Sequence, residues 1–225
     1  VSVDFGADLL TFNSTVLNST IDLGIGADSV TFKSGFSTST VAGGAGNDTV
    51  RFTAGIVNSF ASMDAGSELL VFGRAISGST VDFGAGADSF TLTVGLTSST
   101  FSGGADADTL VFSSTATSSS ISGGAGADSL VIKTVFTSGN TLDAGLGSDL
   151  VSFDGSVTGA RVIAGSGAGD DSLVFASTVT NSYISLDAGN DSIVFNSVVT
   201  NSTLNGGSVS TNTILFSISV AELLS

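Results

Sequence analysis

The chain has 225 residues, 41% hydrophobic but only 11% charged, with 20 acids against 5 bases and a formal charge of −15. Five scattered bases cannot form the cationic stripe that neutralises phosphates, which excludes nucleic acid as a partner, and the same sign argument excludes anionic membrane surfaces. Without His or Cys there is no imidazole base, thiolate nucleophile or usual zinc, copper or haem ligand set, which leaves oxygen ligands and hard cations.

No apolar run is long enough for a membrane helix, so no membrane insertion is expected. The chain opens at Val1 with no signal-peptide pattern, which predicts a processed product or a piece of something longer.

From the N-terminus a Gly-Ala-Asp-like triplet recurs about every 20 residues. Its last residue falls at Asp8, Asp28, Asp48, Glu68, Asp88, Asp108, Asp128, Asp149, Asp171, Asp191 and Asn212. Extra residues are placed near Leu146, at 166–170 and at 208–211. Two residues after each acid stands a large apolar residue, from Leu10 and Val30 through to Ile193 and Ile214. Four after it stands usually Phe: Phe12, Phe32, Phe52, Phe72, Phe112, Phe153, Phe175, Phe195 and Phe216. That alternation predicts a strand with one face in a core. Eight after the acid the residue is apolar in every repeat, from Val16 to Val220. A fourth apolar column precedes the acid by about seven, with Ile21, Val41, Val81, Phe101, Ile121, Leu142, Ile184 and Leu204 among its members. Polar corners such as Asn18-Ser19-Thr20 lie between the last two columns.

A 20-residue unit with four apolar side chains cannot offset its own ordering entropy; stacking turns the columns into a continuous core. No helical period appears, and Gly, Ser, Thr and β-branched residues dominate. The predicted fold is all-β: a parallel β-solenoid (β-helix or β-roll) of eleven 20-residue coils, about 50 Å long at a strand spacing of about 4.8 Å. With no linker and no break in composition, residues 1–225 read as a single domain.

Eighteen of the 20 acids lie within the seven residues up to and including the triplet acid; only Asp154 and Glu222 fall elsewhere. Stacking therefore predicts one acidic edge. Carboxylates about 5 Å apart repel by about 1 kcal/mol even in bulk water, so cations between turns would relieve the edge. A solvated face that keeps the rod soluble is the other reading. A Gly stands two before the acid in nine of the eleven repeats, where positive φ lets carbonyls turn toward a shared centre. Fuller turns read Gly43-Gly44-Ala45-Gly46-Asn47-Asp48 and Gly123-Gly124-Ala125-Gly126-Ala127-Asp128, the latter continuing Ser129-Leu130-Val131.

These turns resemble the repeats-in-toxin, or hemolysin-type calcium-binding, family, whose motif is G-G-x-G-x-D followed by x, a large apolar residue and x. The resemblance implies Ca²⁺ held between the turns of neighbouring coils by the Asp side chain and glycine-turn carbonyls. Carried over by position, the carboxylates are Asp28, Asp48, Asp88, Asp108, Asp128, Asp149, Asp171 and Asp191. The glycine partners are Gly26, Gly44, Gly46, Gly86, Gly124, Gly126, Gly147, Gly169 and Gly189. Asp22, Asp82 and Asp143, six residues before a triplet acid, join them as second carboxylates. The family usually places two nine-residue motifs in each coil; here one acidic turn per coil implies ions on one edge only. Glu68, Asn212, Asp106 in place of a glycine, and the shortened turn before Asp8 predict weak or missing sites there. The resemblance also implies a bacterial, secreted protein.

Acid pairs such as Asp22/Asp28 and Asp82/Asp88 could suggest a glycosidase, but they are copies of a repeated turn, and no enzyme is expected. The irregular region around Arg161 reads as a loop. Thr97, Thr117, Thr137, Thr158, Thr180 and Thr200 form an imperfect ladder of the kind that could contact ice. Three after the acid, Val111, Val131, Val174, Val194 and Leu215 form an outward apolar strip that predicts lateral packing. The tail at 218–225 reads as a short cap or a contact with a neighbour. The function expected is an extracellular or cell-surface structural rod, stabilised by Ca²⁺, that assembles with copies of itself, end to end or laterally, into a surface layer, fibre or matrix. The alternative is a non-catalytic binding module of a larger secreted protein: an adhesin segment, an ice binder or a carbohydrate-contacting solenoid, with a cell-surface glycan as partner.

Overall fold

The computed structural model describes residues 1–208 and 211–217; the tail at 218–225, including Val220 of the predicted core, lies outside the described residues. Each repeat forms three short strands because it offers three apolar-anchored segments separated by turn residues. The first is four residues long with alternating burial, as in Ser29–Phe32, where Val30 and Phe32 point inward. The second has two residues, as in Phe36–Ser37. The third has three, as in Thr40–Ala42, and extends to six in Thr100–Ala105, Ser120–Ala125 and Thr141–Leu146.

Every strand pairs in parallel with its counterpart one coil away, Leu110 lying between Phe90 and Leu130. The second and third faces are continuous ten-stranded sheets. The fold is therefore a β-solenoid of ten complete coils plus the first strand of an eleventh, Thr213–Phe216, with no helix among the described residues.

The four predicted apolar columns line the interior. Phe12, Phe32, Phe52 and Phe72 stack with successive centroid separations of 5.1, 5.0 and 5.2 Å. Phe153, Phe175, Phe195 and Phe216 repeat the arrangement at 5.0, 5.2 and 5.2 Å. The coil repeat sets this distance, and it coincides with the spacing at which offset rings attract. A fifth core column, absent from the sequence reading, contains Leu23, Met63, Phe83, Ala144, Ala164 and Leu186, all fully buried.

Three further expectations are corrected. Arg161 opens a strand, Arg161–Ile163, rather than lying in a loop. The extra residue assigned near Leu146 falls instead at the corner 138–140: Phe136 still pairs with Ala116, whereas Thr141 pairs with Ser120. In the predicted outward strip Val111, Val131, Val174 and Val194 are half-buried, while Leu215 is exposed.

The first face is interrupted once, splitting into a four-stranded sheet ending at Leu69–Phe72 and a seven-stranded sheet starting at Ser89–Leu92. Elsewhere the residue after each acid donates its N–H to the carbonyl of the acid one coil before, as Leu69 does to Asp48 and Thr109 to Asp88, both at 2.8 Å. The break follows Glu68, whose extra methylene occupies a slot that every neighbouring coil fills with Asp.

Candidate functional site

The turn carrying the triplet acid is shaped by glycine. Gly124 (φ +116°) and Gly126 (φ +150°) occupy backbone space that L side chains rarely adopt. A Cβ on Gly124 would collide with the Gly104 carbonyl, and one on Gly126 with the Asp106 carbonyl. Close stacking of the coils thus requires these glycines independently of any ion. The Gly44 carbonyl already accepts the Ala65 N–H at 3.0 Å. The carbonyls of Gly26, Gly46, Gly126, Gly147 and Gly169 lie against the α-carbon of the equivalent glycine one coil on, and Gly86 and Gly189 receive the same contact from Gly66 and Gly169.

The acids themselves do not form a solvated edge. Asp28, Asp48, Glu68, Asp88, Asp108, Asp128, Asp149, Asp171 and Asp191 are at most 5% exposed and point into the coil. One carboxylate oxygen of each Asp in this row accepts the backbone N–H of the acid one coil earlier; the Glu68 carboxylate does not accept that of Asp48. Asp28 N–H reaches Asp48 Oδ1, Asp108 reaches Asp128 and Asp128 reaches Asp149, each at 2.8 Å. Asp149 continues to Asp171 at 2.8 Å and Asp171 to Asp191 at 2.9 Å. The last link runs from Asp191 to Asn212 Oδ1 at 2.8 Å. The other oxygen, Oδ2, is buried without a hydrogen-bond partner in Asp28, Asp48, Asp88, Asp108, Asp128, Asp149 and Asp191, as are both oxygens of Glu68.

A serine column at the corner between the second and third faces provides the contrast. Ser79 N–H donates to Ser99 Oγ at 3.1 Å, and Ser99 Oγ–H donates to the Thr97 carbonyl at 2.7 Å. The motif repeats at Ser39, Ser59, Ser79 and Ser119. Both ladders clamp one coil to the next, but serine brings a proton to its second contact and an ionised carboxylate does not.

Burial without compensation raises the pKa of Asp48, Glu68 and the six Asp from Asp88 to Asp191 in this row. Desolvation is the largest cause in each; neighbouring acids add to it for Asp48, Glu68, Asp108, Asp149, Asp171 and Asp191, and the inter-coil N–H bond opposes it in all but Glu68. Asp48 and Asp149 are pushed up to about 6, and Asp108 and Asp171 to about 7. Glu68, buried beside Asp88 and Asp48, rises to about 8. Burial also raises Asp88, Asp128 and Asp191.

The second carboxylates stand apart from this row. Asp22 is exposed and caps its own turn, accepting the Gly24 N–H at 3.2 Å; Asp82 does the same with Gly84 at 3.3 Å. Asp143 is half-buried with one oxygen lacking a partner, and burial followed by the charge of Asp187 raises its pKa. Among the described residues no three Asp or Glu side chains converge on one point. A cation in the inward row would therefore draw on one carboxylate from each of two successive coils and otherwise on backbone carbonyls.

No family model matches the chain, and neither the curated proteins nor the solved structures contain a significant match to it.

Proposed function

We propose that the chain is a calcium-stabilised β-solenoid rod with a structural, extracellular role, and that the inward carboxylate column is where the ions act. The observation that carries this reading is the file of buried, unpartnered Oδ2 atoms, repeated along almost the whole rod. A buried carboxylate oxygen with no donor costs several kcal/mol unless a proton or a cation reaches it. Oxygen-only ligands of this kind suit Ca²⁺, and sites with few carboxylates match the millimolar calcium found outside cells. Asp28, Asp48, Asp88, Asp108, Asp128, Asp149, Asp171 and Asp191 would hold the ions, with the remaining oxygens drawn from backbone carbonyls other than the glycine-turn carbonyls already engaged between coils. Bound Ca²⁺ supplies charge neutralisation, while the Oδ1 ladder keeps each carboxylate aimed inward.

The role is physical rather than catalytic. Locking the coils makes a stiff rod, and its half-buried strip of Val111, Val131, Val174 and Val194 offers a face for lateral packing with further copies into a layer, fibre or matrix. Far-UV circular dichroism and light scattering, recorded together during a calcium titration with magnesium as control, test both parts. Calcium-dependent gain of β-structure and scattering is expected. A rod equally folded and assembled in chelator would refute the reading.

A further inference from the structure

The repeat departs from its own pattern in three adjacent columns at one place. At the corner between the second and third faces most coils carry a side chain in the left-handed conformation, such as Asn58, Asn181 and Asn201; glycine stands there singly at Gly78 and in two successive coils at Gly139 and Gly159. Beside them, the serine column is replaced by Asn140 and Ala160. On the outer side of the third face, the usual Thr or Ser gives way to Arg161 and Tyr183, which pair with each other between Thr141 and Thr203. The extra residue at 138–140 lies at the same corner.

Together these changes open a shallow depression of about 420 Å³. Its lining includes Gly139 and Gly159, the amide-bearing Asn181 and Asn201, and the hydroxyl-bearing Thr141 and Thr203. Arg161 supplies its only cation. The guanidinium lies over the Tyr183 ring, 4.7 Å from its centroid, and the Tyr183 hydroxyl accepts a hydrogen bond from Asn205 Nδ2 at 3.2 Å. Cation–π contact with an anchored ring holds the planar fork in one orientation.

We propose that this depression binds a single carboxylate-bearing sugar unit of an otherwise neutral glycan, with Arg161 taking the carboxylate and the surrounding amides and hydroxyls taking the ring hydroxyls; a polyanion is disfavoured by the chain's charge of −15. A guanidinium fork matches a carboxylate in two parallel hydrogen bonds, and the remaining lining offers the neutral donors and acceptors that a polyol needs. Asp143 and Asp187 are the nearby acids on the same face; Asp143 interacts electrostatically with both Arg161 and Asp187. They weaken the attraction for a free anion and favour a ligand that also uses the hydroxyl contacts. The inference is independent of the carboxylate column, which lies inside the rod.

The test is ligand-observed saturation-transfer NMR with methyl glucuronide against methyl glucoside, with calcium held constant. Arg161→Thr restores the residue of the preceding coil, Thr141. Gly139→Asn restores the corner side chain seen at Asn58 and Asn181, its Cβ falling 3.3 Å from the rotatable Ser118 Oγ. The glucuronide is expected to bind at least about tenfold more tightly than the glucoside, and both variants to lose that preference while keeping the wild-type far-UV spectrum. If Gly139→Asn misfolds, Arg161→Thr alone decides. Equal binding of the two sugars, binding of neither, or an unchanged preference in Arg161→Thr would overturn the proposal.

Discussion

Asp191 donates its backbone N–H to Oδ1 of Asn212 at 2.8 Å, and Asn212 in turn donates from Nδ2 to the Gly206 carbonyl at 2.6 Å. The last member of the column thus satisfies both ends of its side chain, and its second atom meets a backbone carbonyl. In the coils before it the same place holds an Asp, whose second atom is another acceptor. Oδ2 of Asp48 and of Asp128 lies against the glycine five residues earlier: a Cβ on Gly43 would be 2.8 Å from the first, and one on Gly123 would be 2.6 Å from the second. A proton or a cation has to do in those coils what the amide does at Asn212.

Without calcium, that requirement makes stability fall as pH rises. The folded pKa values of Asp48, Asp149, Asp108 and Asp171, about 6 to 7, lie above the ordinary value of 3.8. The folded state therefore holds more protons than the unfolded state between about pH 4 and pH 7. Their contribution is complete below pH 4 and is lost as pH passes through the folded values. Thermal unfolding in chelator should give its highest Tm near pH 4 and a steady fall to pH 8, with the last part carried by Glu68. Saturating calcium should flatten that fall.

Glu68→Asp should stabilise the rod. It replaces a carboxyl whose two buried oxygens meet no donor and whose side-chain contact is the neighbouring carboxyl of Asp88, and it restores the side-chain length that accepts the inter-coil N–H elsewhere. A gain of about 1 kcal/mol is expected from the recovered hydrogen bond, read as a higher denaturation midpoint. Hydrogen exchange at Ser89 should slow as the first-face ladder closes.

Ser99→Ala tests the other clamp. It removes the acceptor of the Ser79 N–H and one of two donors to the Thr97 carbonyl, which keeps the Gly78 N–H at 3.0 Å, leaving the buried Ser79 N–H unpaired. The expected loss is about 1–3 kcal/mol, the same in calcium and in chelator because no charge is involved. A calcium-dependent loss would mean that the two ladders are coupled.

The period, the four apolar columns and the parallel stack were legible because each is a repeated chemical type at fixed spacing. The inward turn of the acids was legible in principle: Asp128 is in phase with Leu130 and Ile132, both buried, but its polarity suggested the outside. The fifth core column was hidden because Leu23, Gly43, Met63 and Phe83 share burial without sharing a residue type. The extra residue before Asp149 could not be assigned to a particular turn by aligning acids; only the backbone register places it at 138–140. Arg161 and Tyr183 are 22 positions apart in sequence, and their stacking depends on the insertion at 166–170 that brings Tyr183 directly opposite Arg161.

Asp128→Asn tests the central claim most directly, because Asn212 shows that an amide can take both contacts of this position. In chelator at pH 8 the variant replaces a buried, uncompensated charge and should be more stable than the wild type by about 1–2 kcal/mol. In millimolar calcium it removes a ligand and should be less stable than the wild type. Thermal unfolding of the two proteins in both buffers reads the sign directly. A reversal of sign between the buffers is the result predicted; a shift of the same sign in both would contradict a cation-holding column.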